Sequence, residues 1–297
     1  MSISRLVFCV GTAVLVNNLY LSTYILPRWG TYPIAEVKTV AVEDWLSSLE
    51  LANGTKAKIR NIMSALFTHA MRYEWTDRNP ITLVRQSAKR ERIPEILEVG
   101  ELTALLAELE PPYSQMVLLA AVTGLRASEL LALQWSDVDF EGRQINLSRG
   151  IVEGVVGEMK TEASRKPIPM ESVLAESLAS LKQQSPYNHP NDWVFASPRV
   201  KGERPYWPDS ALSKVVRRAA ARAAITKHIG WHTFRHTYAT LLTANGEDIK
   251  TVQESLRHAS SRITLDVYAQ GISSTKRQAQ TKVVMMIQPA EKQAANG

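Results

Sequence analysis

Apolar residues recur at helical spacing through the first third of the chain. In residues 42–49 they repeat every three or four positions, which predicts an amphipathic helix. A longer stripe follows the turn that Asn53-Gly54 predicts, with Thr55 as the expected helix cap, and Asn79-Pro80 ends the helical pattern. Residues 18–92 are therefore predicted to form a small helical domain that ends in a linker. The apolar side chains of its longer helix are Ile59, Ile62, Met63, Leu66 and Phe67.

The pattern changes twice beyond this domain. The stretch 88–94 is charged and poorly patterned, which is typical of a linker. Three short β-like runs at 144–148, 151–156 and 166–170 are separated by glycines and predict a small antiparallel sheet. The fold class is therefore predicted as mainly α with a small antiparallel β-sheet (α+β), and a second domain is predicted over 93–297. Further helices are expected at 99–110, 113–122, 126–133, 173–181, 210–224, 233–244, 249–256 and 261–270.

The start of the chain fits neither domain. Residues 6–16 are apolar and follow Arg5, as the core of a signal peptide does, but they are too short to span a bilayer. Residues 1–17 are therefore treated as an uncertain leader, expected to be a buried first helix or strand or the remnant of a truncated start. The single cysteine, Cys9, can form neither an intrachain disulfide nor a zinc cluster, which favours a reducing, cytoplasmic compartment.

Charge and motif content narrow the class of partner. The formal net charge of +6 suits a polyanion, because lysine and arginine attract phosphate. The sequence contains no P-loop, no dinucleotide-binding glycine motif and no carboxylate-rich metal cluster. These absences argue against nucleotide-dependent enzymes and metal-dependent nucleases.

The first candidate motif is TGLRASEL at 123–130. Gly124 permits a sharp turn, so Arg126 is expected near a helix N-terminus, where free backbone N–H groups favour a phosphate. Glu129 follows three residues later and is expected to hold the guanidinium of Arg126. An ordinary exposed ion pair is the alternative at this spacing.

The second candidate motif is WHTFRH at 231–236. It places His232 and Arg235 on one helix face, and the planar guanidinium fork matches two phosphate oxygens. A metal site at His232 and His236 is the alternative. That alternative is disfavoured because no glutamate follows the first histidine and no third ligand is evident in the sequence.

The third candidate motif combines LRHAS at 256–260 with ITLDVY at 263–268. A serine between the two halves can cap a short helix that ends near Tyr268. A tyrosine on a helix is usually a packing residue, so this motif indicates chemistry only in combination with the other two.

The order Arg, His-x-x-Arg, His, Tyr at these intervals resembles the tyrosine recombinase (phage integrase) family of site-specific DNA recombinases. The resemblance covers residues 42–270 and is carried by TGLRASEL, HTFRHTYATLL and LRHASSRITLDVY in the family's order. It implies a helical core-type DNA-binding domain, a basic linker across DNA and an integrase-type catalytic domain. The catalytic residues that it implies are Arg126, Lys160, His232, Arg235, His258 and Tyr268, with Glu129 in support.

The resemblance also implies a mechanism and an assembly. Tyr268 would attack a DNA phosphate to form a 3′-phosphotyrosyl link, and Lys160, in a β-hairpin turn, would protonate the departing 5′-oxygen. Lys166 is the less favoured candidate for that acid. Neither a metal nor another cofactor is expected. A homotetramer on two DNA duplexes is expected at the nucleoid, with accessory DNA-bending proteins as further partners and no membrane contact.

Two features depart from the family pattern. Many relatives carry glycine where Arg257 precedes the histidine, and glycine suits a left-handed helix end. Arginine at this position is expected either to cost about 1 kcal/mol of backbone strain or to reach DNA. Many integrases also carry an N-terminal arm-binding module, which is not expected here.

Two other functions share parts of the pattern. A type IB topoisomerase uses the same chemistry to relax supercoils as a monomer, but the integrase-like motifs and the long C-terminal segment favour recombination. A DNA-binding protein without catalysis would be indicated by a missing nucleophile or arginine, and neither is missing from the sequence. The predicted function is therefore site-specific DNA recombination for integration or excision of a mobile element.

Overall fold

The chain forms two compact units, one within Met1–Ile93 and one within Pro94–Gly297. Both are mainly helical, and the strands, all of which lie in the second unit among the described residues, are short and antiparallel, which confirms the predicted fold class. Within the described ranges, no helix combines the length and the hydrophobicity that a membrane span needs. The computed structural model describes residues 2–10, 18–88, 94–159 and 165–257.

The first unit is built around one long helix. The apolar stripe predicted for this helix, α5 (Asn53–Arg72), is buried throughout. The helix contacts α1 (Ile3–Val10), the segment Leu21–Ile25 and the turn Pro80–Leu83. A π-helical segment, Leu21–Ile25, joins α2 to α3, and 3₁₀ turns lie at Ile34–Glu36 and Pro80–Leu83. The helices are α1 (Ile3–Val10), α2 (Asn18–Tyr20), α3 (Leu26–Trp29), α4 (Thr39–Ser48) and α5 (Asn53–Arg72).

Helix α5 begins earlier than predicted. The turn expected at Asn53-Gly54 is the first turn of the helix, and Thr55 lies inside it instead of capping it. The backbone N–H of Thr55 donates to the carbonyl of Ala52 at 2.8 Å, and burial of the apolar stripe outweighs the turn propensity of the first two residues. Helix α5 ends at Arg72, and Asn79 caps the 3₁₀ turn that follows it, where its Oδ1 accepts the N–H of Ile81 at 3.0 Å.

The second unit carries most of the predicted motifs. Helices α7 (Tyr113–Thr123) and α12 (Trp231–Ala244) pack against each other in its core. A π-helical segment, Leu212–Val216, joins α10 (Pro208–Ala211) to α11 (Arg217–Arg222). The buried hydroxyl of Thr237 on α12 accepts the backbone N–H of Leu97 at 2.9 Å, which fixes α12 to the start of the unit. The helices are α6 (Val99–Ala107), α7 (Tyr113–Thr123), α8 (Ala127–Leu130), α9 (Ser172–Gln184), α10 (Pro208–Ala211), α11 (Arg217–Arg222), α12 (Trp231–Ala244) and α13 (Ile249–Ser255).

The strands of the second unit form two small sheets instead of one. The strands near residues 138, 144 and 168, which are β1, β2 and β5, form an antiparallel sheet in that order, whereas β3 and β4, between residues 149 and 158, form a separate hairpin. The predicted single run 151–156 was wrong, because Glu153 and Gly154 turn the chain with φ of +52° and +78°. Two consecutive positive φ values are what a tight two-residue hairpin turn requires. The strands are β1 (Val138–Asp139), β2 (Gln144–Ile145), β3 (Arg149–Val152), β4 (Val155–Glu158) and β5 (Ile168–Pro169).

Candidate active site

Gly124 ends helix α7 in the left-handed conformation, with φ of +61°. A Cβ at this position would lie 2.8 Å from side-chain carbons of both Leu256 and Tyr238, so only glycine fits without movement of its neighbours. The turn leads to Arg126, which is the N-cap residue of α8. Because α8 is a single turn, its dipole is small, and the guanidinium must supply most of the attraction for an anion.

Glu129 lies buried beneath Arg126 and accepts hydrogen bonds on both carboxylate oxygens. Its Oε1 accepts Nη1 of Arg126 at 2.6 Å, and its Oε2 accepts the backbone N–H of Arg126 at 3.0 Å. Burial raises the pKa of Glu129, but the backbone hydrogen bond and the charges of Arg257 and Arg126 outweigh it and hold the pKa below its usual range. The carboxylate therefore stays ionised and orients a guanidinium whose side chain remains 35% exposed.

Arg235 is buried on α12 and bridges two distant parts of the chain. Its Nη1 donates to the carbonyl of Gly124, and its Nη2 donates to the carbonyl of Leu256. Burial, reinforced by the charge of Arg126, lowers the pKa of Arg235 to about 9. The guanidinium is thus cationic at neutral pH in surroundings that favour the approach of an anion.

The start of α12 determines where His232 lies. The hydroxyl of Thr233 accepts the backbone N–H of Gly230 at 3.0 Å, and the indole N–H of Trp231 donates to the carbonyl of Pro208 at 2.9 Å. His232 is exposed at this end of the helix, whereas Arg235, three residues further on, is buried. The two side chains predicted to share a helix face therefore differ in their access to solvent.

The alternative metal site at His232 and His236 gains no further ligand from the described part of the fold. The two imidazole rings lie 6.5 Å apart between centroids. Within the ranges that the structure describes, no group of three histidine, cysteine, aspartate or glutamate side chains is arranged to hold a metal ion.

Arg257 adopts the left-handed conformation expected for a helix end, with φ of +53°. Such a backbone costs a residue with a Cβ about 1–2 kcal/mol. One expectation was that the side chain reaches outward to DNA. It is instead 2% exposed and donates from Nη2 to Oε2 of Glu129 at 3.3 Å. Its Nη1 donates to the carbonyl of Ser255 at 3.1 Å. The sequence marks Arg257 only as a departure from the family pattern, because a contact between positions 257 and 129 leaves no trace in local sequence.

The β3–β4 hairpin is attached beside α8 by a second ion pair that the motifs did not reveal. Nη1 of Arg149, at the start of β3, donates to Oδ2 of Asp137 at 2.5 Å. Oδ2 of Asp137 also accepts the backbone N–H of Gln134 at 2.8 Å. The hairpin ends at the buried Met159, directly before the position predicted for the general acid.

Among the predicted site residues in the described part of the chain, the fold brings Arg126, Glu129 and Arg235 together and adds Arg257 to them. This group contains three arginines and one carboxylate, so its formal charge is positive. A positive cluster fixed by backbone and carboxylate contacts is suited to hold a phosphate and to stabilise the charge that develops on it. The predicted Lys160, His258 and Tyr268 lie outside the described residues.

Comparison with known proteins assigns this second unit to a family. The model described as "Phage integrase family" matches residues 95–273, which is more than half of the chain. The chain belongs to the phage integrase family. It is a tyrosine-type recombinase, an enzyme that cleaves and rejoins DNA in site-specific recombination.

Several curated members of the phage integrase family align along most of this chain. A tyrosine recombinase of Pseudothermotoga lettingae is 28% identical over 258 residues, which cover 84% of each chain. The ICEBs1 integrase of Bacillus subtilis is 26% identical and covers 85% of this chain and 71% of its own length. The tyrosine recombinase XerD of Halalkalibacterium halodurans is 30% identical over 65% of this chain and 63% of its own.

Solved structures of integrases share the fold of this family member. The Tn1549 transposon integrase in complex with transposon right end DNA has a TM-score of 0.76 at 20% identity and covers 96% of this chain and 100% of its own. A lambda integrase dimer bound to a COC' core site has a TM-score of 0.64 at 19% identity, over 89% of this chain and 92% of its own.

Proposed function

We propose that this recombinase acts on double-stranded DNA with Tyr268 as the nucleophile and with Arg126 and Arg235 as the phosphate-binding pair. The observation that carries the proposal is the cluster in which the buried carboxylate of Glu129 orients the partly exposed Arg126, with the buried Arg235 nearby. A phosphodiester resists attack because its negative charge repels nucleophiles, and two guanidinium groups neutralise the charge that builds up in the transition state.

The proposed chemistry is a pair of transesterifications. The phenolic oxygen of Tyr268 forms a bond to phosphorus, the bond from phosphorus to the 5′-oxygen breaks, and Lys160 donates a proton to that oxygen. His232 and His258 assist by accepting the phenolic proton and by binding the phosphate. The 5′-hydroxyl of another strand then attacks the 3′-phosphotyrosyl bond and releases the tyrosine. Each phosphodiester bond that is broken is replaced by another, so the exchange needs no external energy source.

Both units are proposed to contact DNA. In this proposal residues 18–92 form a core-type DNA-binding domain and residues 93–297 form the catalytic domain. Four such chains would assemble on two duplexes, because four strands must be exchanged. Accessory DNA-bending proteins would assist the assembly.

The proposed biological substrate is a mobile element that enters or leaves a chromosome. Support comes from relatives named as the ICEBs1 integrase and from the Tn1549 transposon integrase, whose structure contains transposon right end DNA. The second of these proteins is named as the integrase of a transposon, and the two alignments cover 85% and 96% of this chain.

The nucleophile is tested with a pool of duplexes that carry a randomised core and a nick. Wild-type protein should become covalently attached to a subset of these duplexes in the presence of EDTA, and sequencing of the attached DNA identifies the site. Tyr268→Phe should bind the recovered duplex with similar affinity but give no covalent band, because only the attacking oxygen is removed.

Tyr238→Phe is the matched control. Tyr238 lies against Gly124, within the described site, and its variant should retain the covalent band. A covalent band that persists in Tyr268→Phe and disappears in Tyr238→Phe would move the nucleophile to Tyr238. Absence of any covalent band without magnesium, or relaxation of plasmids that lack the recovered site, would contradict the proposed function.

A further inference from the structure

Two arginines connect the segment at residues 256–257 with the motif TGLRASEL. Arg235 joins the carbonyls of Leu256 and Gly124, and Arg257 reaches Glu129 in the same motif. The end of α13 is therefore attached to the segment that carries Arg126 at two separate points.

Three donor groups contact the two carboxylate oxygens of Glu129. Oε1 accepts the guanidinium of Arg126 at 2.6 Å, whereas Oε2 is shared by the backbone N–H of Arg126 at 3.0 Å and Nη2 of Arg257 at 3.3 Å. The side chain of Arg126 is 35% exposed, and that of Arg257 is 2% exposed. Arg126 can meet a ligand from solvent, but Arg257 is shielded beneath the carboxylate.

We infer that Arg257 is a positioning residue, which holds Glu129 from a left-handed backbone position and through Glu129 orients the guanidinium of Arg126 toward the DNA phosphate. The inference rests on the proposed function, in which Arg126 binds that phosphate. A buried guanidinium has lost its hydration and is stabilised by an anion in contact with it, and Glu129 is that anion among the described residues. Arg257 in turn fixes Oε2 of Glu129, the oxygen that accepts the backbone N–H of Arg126 but not its guanidinium.

Direct contact between Arg257 and DNA is the competing role, and the geometry disfavours it. Its Nη1 donates to the carbonyl of Ser255 and its Nη2 to Glu129. Burial alone does not separate Arg257 from Arg235, which is buried as well. Arg257 contacts the carboxylate of Glu129, whereas both Nη atoms of Arg235 donate to neutral backbone carbonyls. A phosphate would therefore have to displace an anion from Arg257 but not from Arg235.

The inference is tested by a double-mutant cycle of Arg257→Gly and Glu129→Gln. Glycine adopts a φ of +53° without strain, so Arg257→Gly removes the side chain and keeps the backbone. With the duplex recovered by covalent selection, Arg257→Gly should slow single-turnover cleavage about 10- to 100-fold at saturating DNA, with little change in Kd. In the Glu129→Gln background the same change should slow cleavage by less than about threefold, because the residue through which it acts is already lost.

Lys201→Gly is the matched control for the backbone strain that a glycine removes. Lys201 is exposed and has a φ of +50°, so its substitution removes a cation from the same left-handed conformation. This variant should cleave at the wild-type rate. Arg257→Lys keeps a cation at the position and should recover part of the rate that Arg257→Gly loses.

Equal slowing by Arg257→Gly in both backgrounds would overturn the inference. If Arg257→Gly instead raises Kd and reduces the slope of log K against log salt concentration by about one, Arg257 binds a phosphate directly. The same cycle measured by urea unfolding without DNA reports on the Arg257–Glu129 coupling alone, and additive effects there also overturn the inference. If wild-type protein forms no covalent complex, the proposed function fails, whereas the unfolding cycle still decides whether Arg257 acts on Glu129.

Discussion

Arg149 and Asp137 form an ion pair with 2.5 Å between Nη1 and Oδ2, at the base of the β3–β4 hairpin. The carboxylate is buried and the arginine side chain is 25% exposed. This pair joins the hairpin to the 3₁₀ turn Trp135–Asp137, which follows α8. The position of the hairpin relative to Arg126 therefore depends on two residues that belong to none of the three sequence motifs.

Arg149→Met should lower the free energy of unfolding by about 1–3 kcal/mol. Loss of one partner leaves a buried carboxylate without its cation, and the partial exposure of Arg149 moderates the cost. Urea unfolding measures the effect. Arg165→Met is the control, because the pair of Arg165 with Glu158 is exposed, and its change should stay within about 0.5 kcal/mol. Equal changes in the free energy of unfolding of the two variants would show that the Arg149–Asp137 pair stabilises the protein no more than an exposed pair does.

Gly124→Ala should destabilise the protein by about 2–3 kcal/mol. The substitution combines a left-handed backbone with contacts of 2.8 Å to side chains of Leu256 and Tyr238. Gly100→Ala is the control, because Gly100 lies in α6 with open space around its Cβ position. Since alanine favours helix, that variant should be as stable as wild type or more stable. Thermal unfolding compares the stability of the two variants. A Gly124→Ala variant as stable as wild type would contradict the tight turn before Arg126.

Glu129→Gln should lower stability at neutral pH by about 3 kcal/mol, because it leaves buried arginines without their anion. The folded pKa of Glu129 lies below its ordinary value of 4.5. Its ionised form therefore contributes stability that is fully present above about pH 4.5 and is lost as the pH falls through the folded pKa.

Urea midpoints measured between about pH 7 and pH 3 check this linkage. The difference in urea midpoint between wild type and Glu129→Gln should become smaller below about pH 4.5, because the wild-type carboxylate becomes protonated there. Glu254→Gln, which removes an exposed pair with Lys250, should follow wild type across the range. A constant difference at every pH would mean that charge at Glu129 does not matter.

Lys160→Ala should slow cleavage of ordinary DNA by about 10²–10⁴-fold and cleavage of DNA with a 5′-bridging sulfur far less. An alkoxide leaving group needs a proton as its bond breaks, whereas a thiolate leaves without one. Single-turnover cleavage of both substrates measures the difference. Arg126→Ala is the control and should slow both substrates alike, because it removes phosphate binding. Rescue by sulfur in Lys166→Ala instead would move the acid to Lys166.

Local sequence was sufficient for the helical stripes and for the order of the motifs. The apolar positions of α5 are buried because a period of 3.6 residues puts them on one face whatever the helix packs against. Gly124 predicted a turn because its left-handed conformation is a property of one residue and its neighbours. The motifs TGLRASEL and HTFRHTYATLL predicted the family for the same reason, since in each of them the two candidate polar residues lie only three positions apart.

Only the tertiary structure decided how the motifs meet. The predicted strand at 151–156 is a hairpin because pairing of Arg149 with Glu158, and of the residues between them, selects the turn. Arg257 turns inward to Glu129 across 128 positions of sequence, and Arg235 reaches a carbonyl 111 positions away. Such contacts depend on how α7, α8, α12 and α13 pack, and packing combines many distant residues that no local spacing encodes.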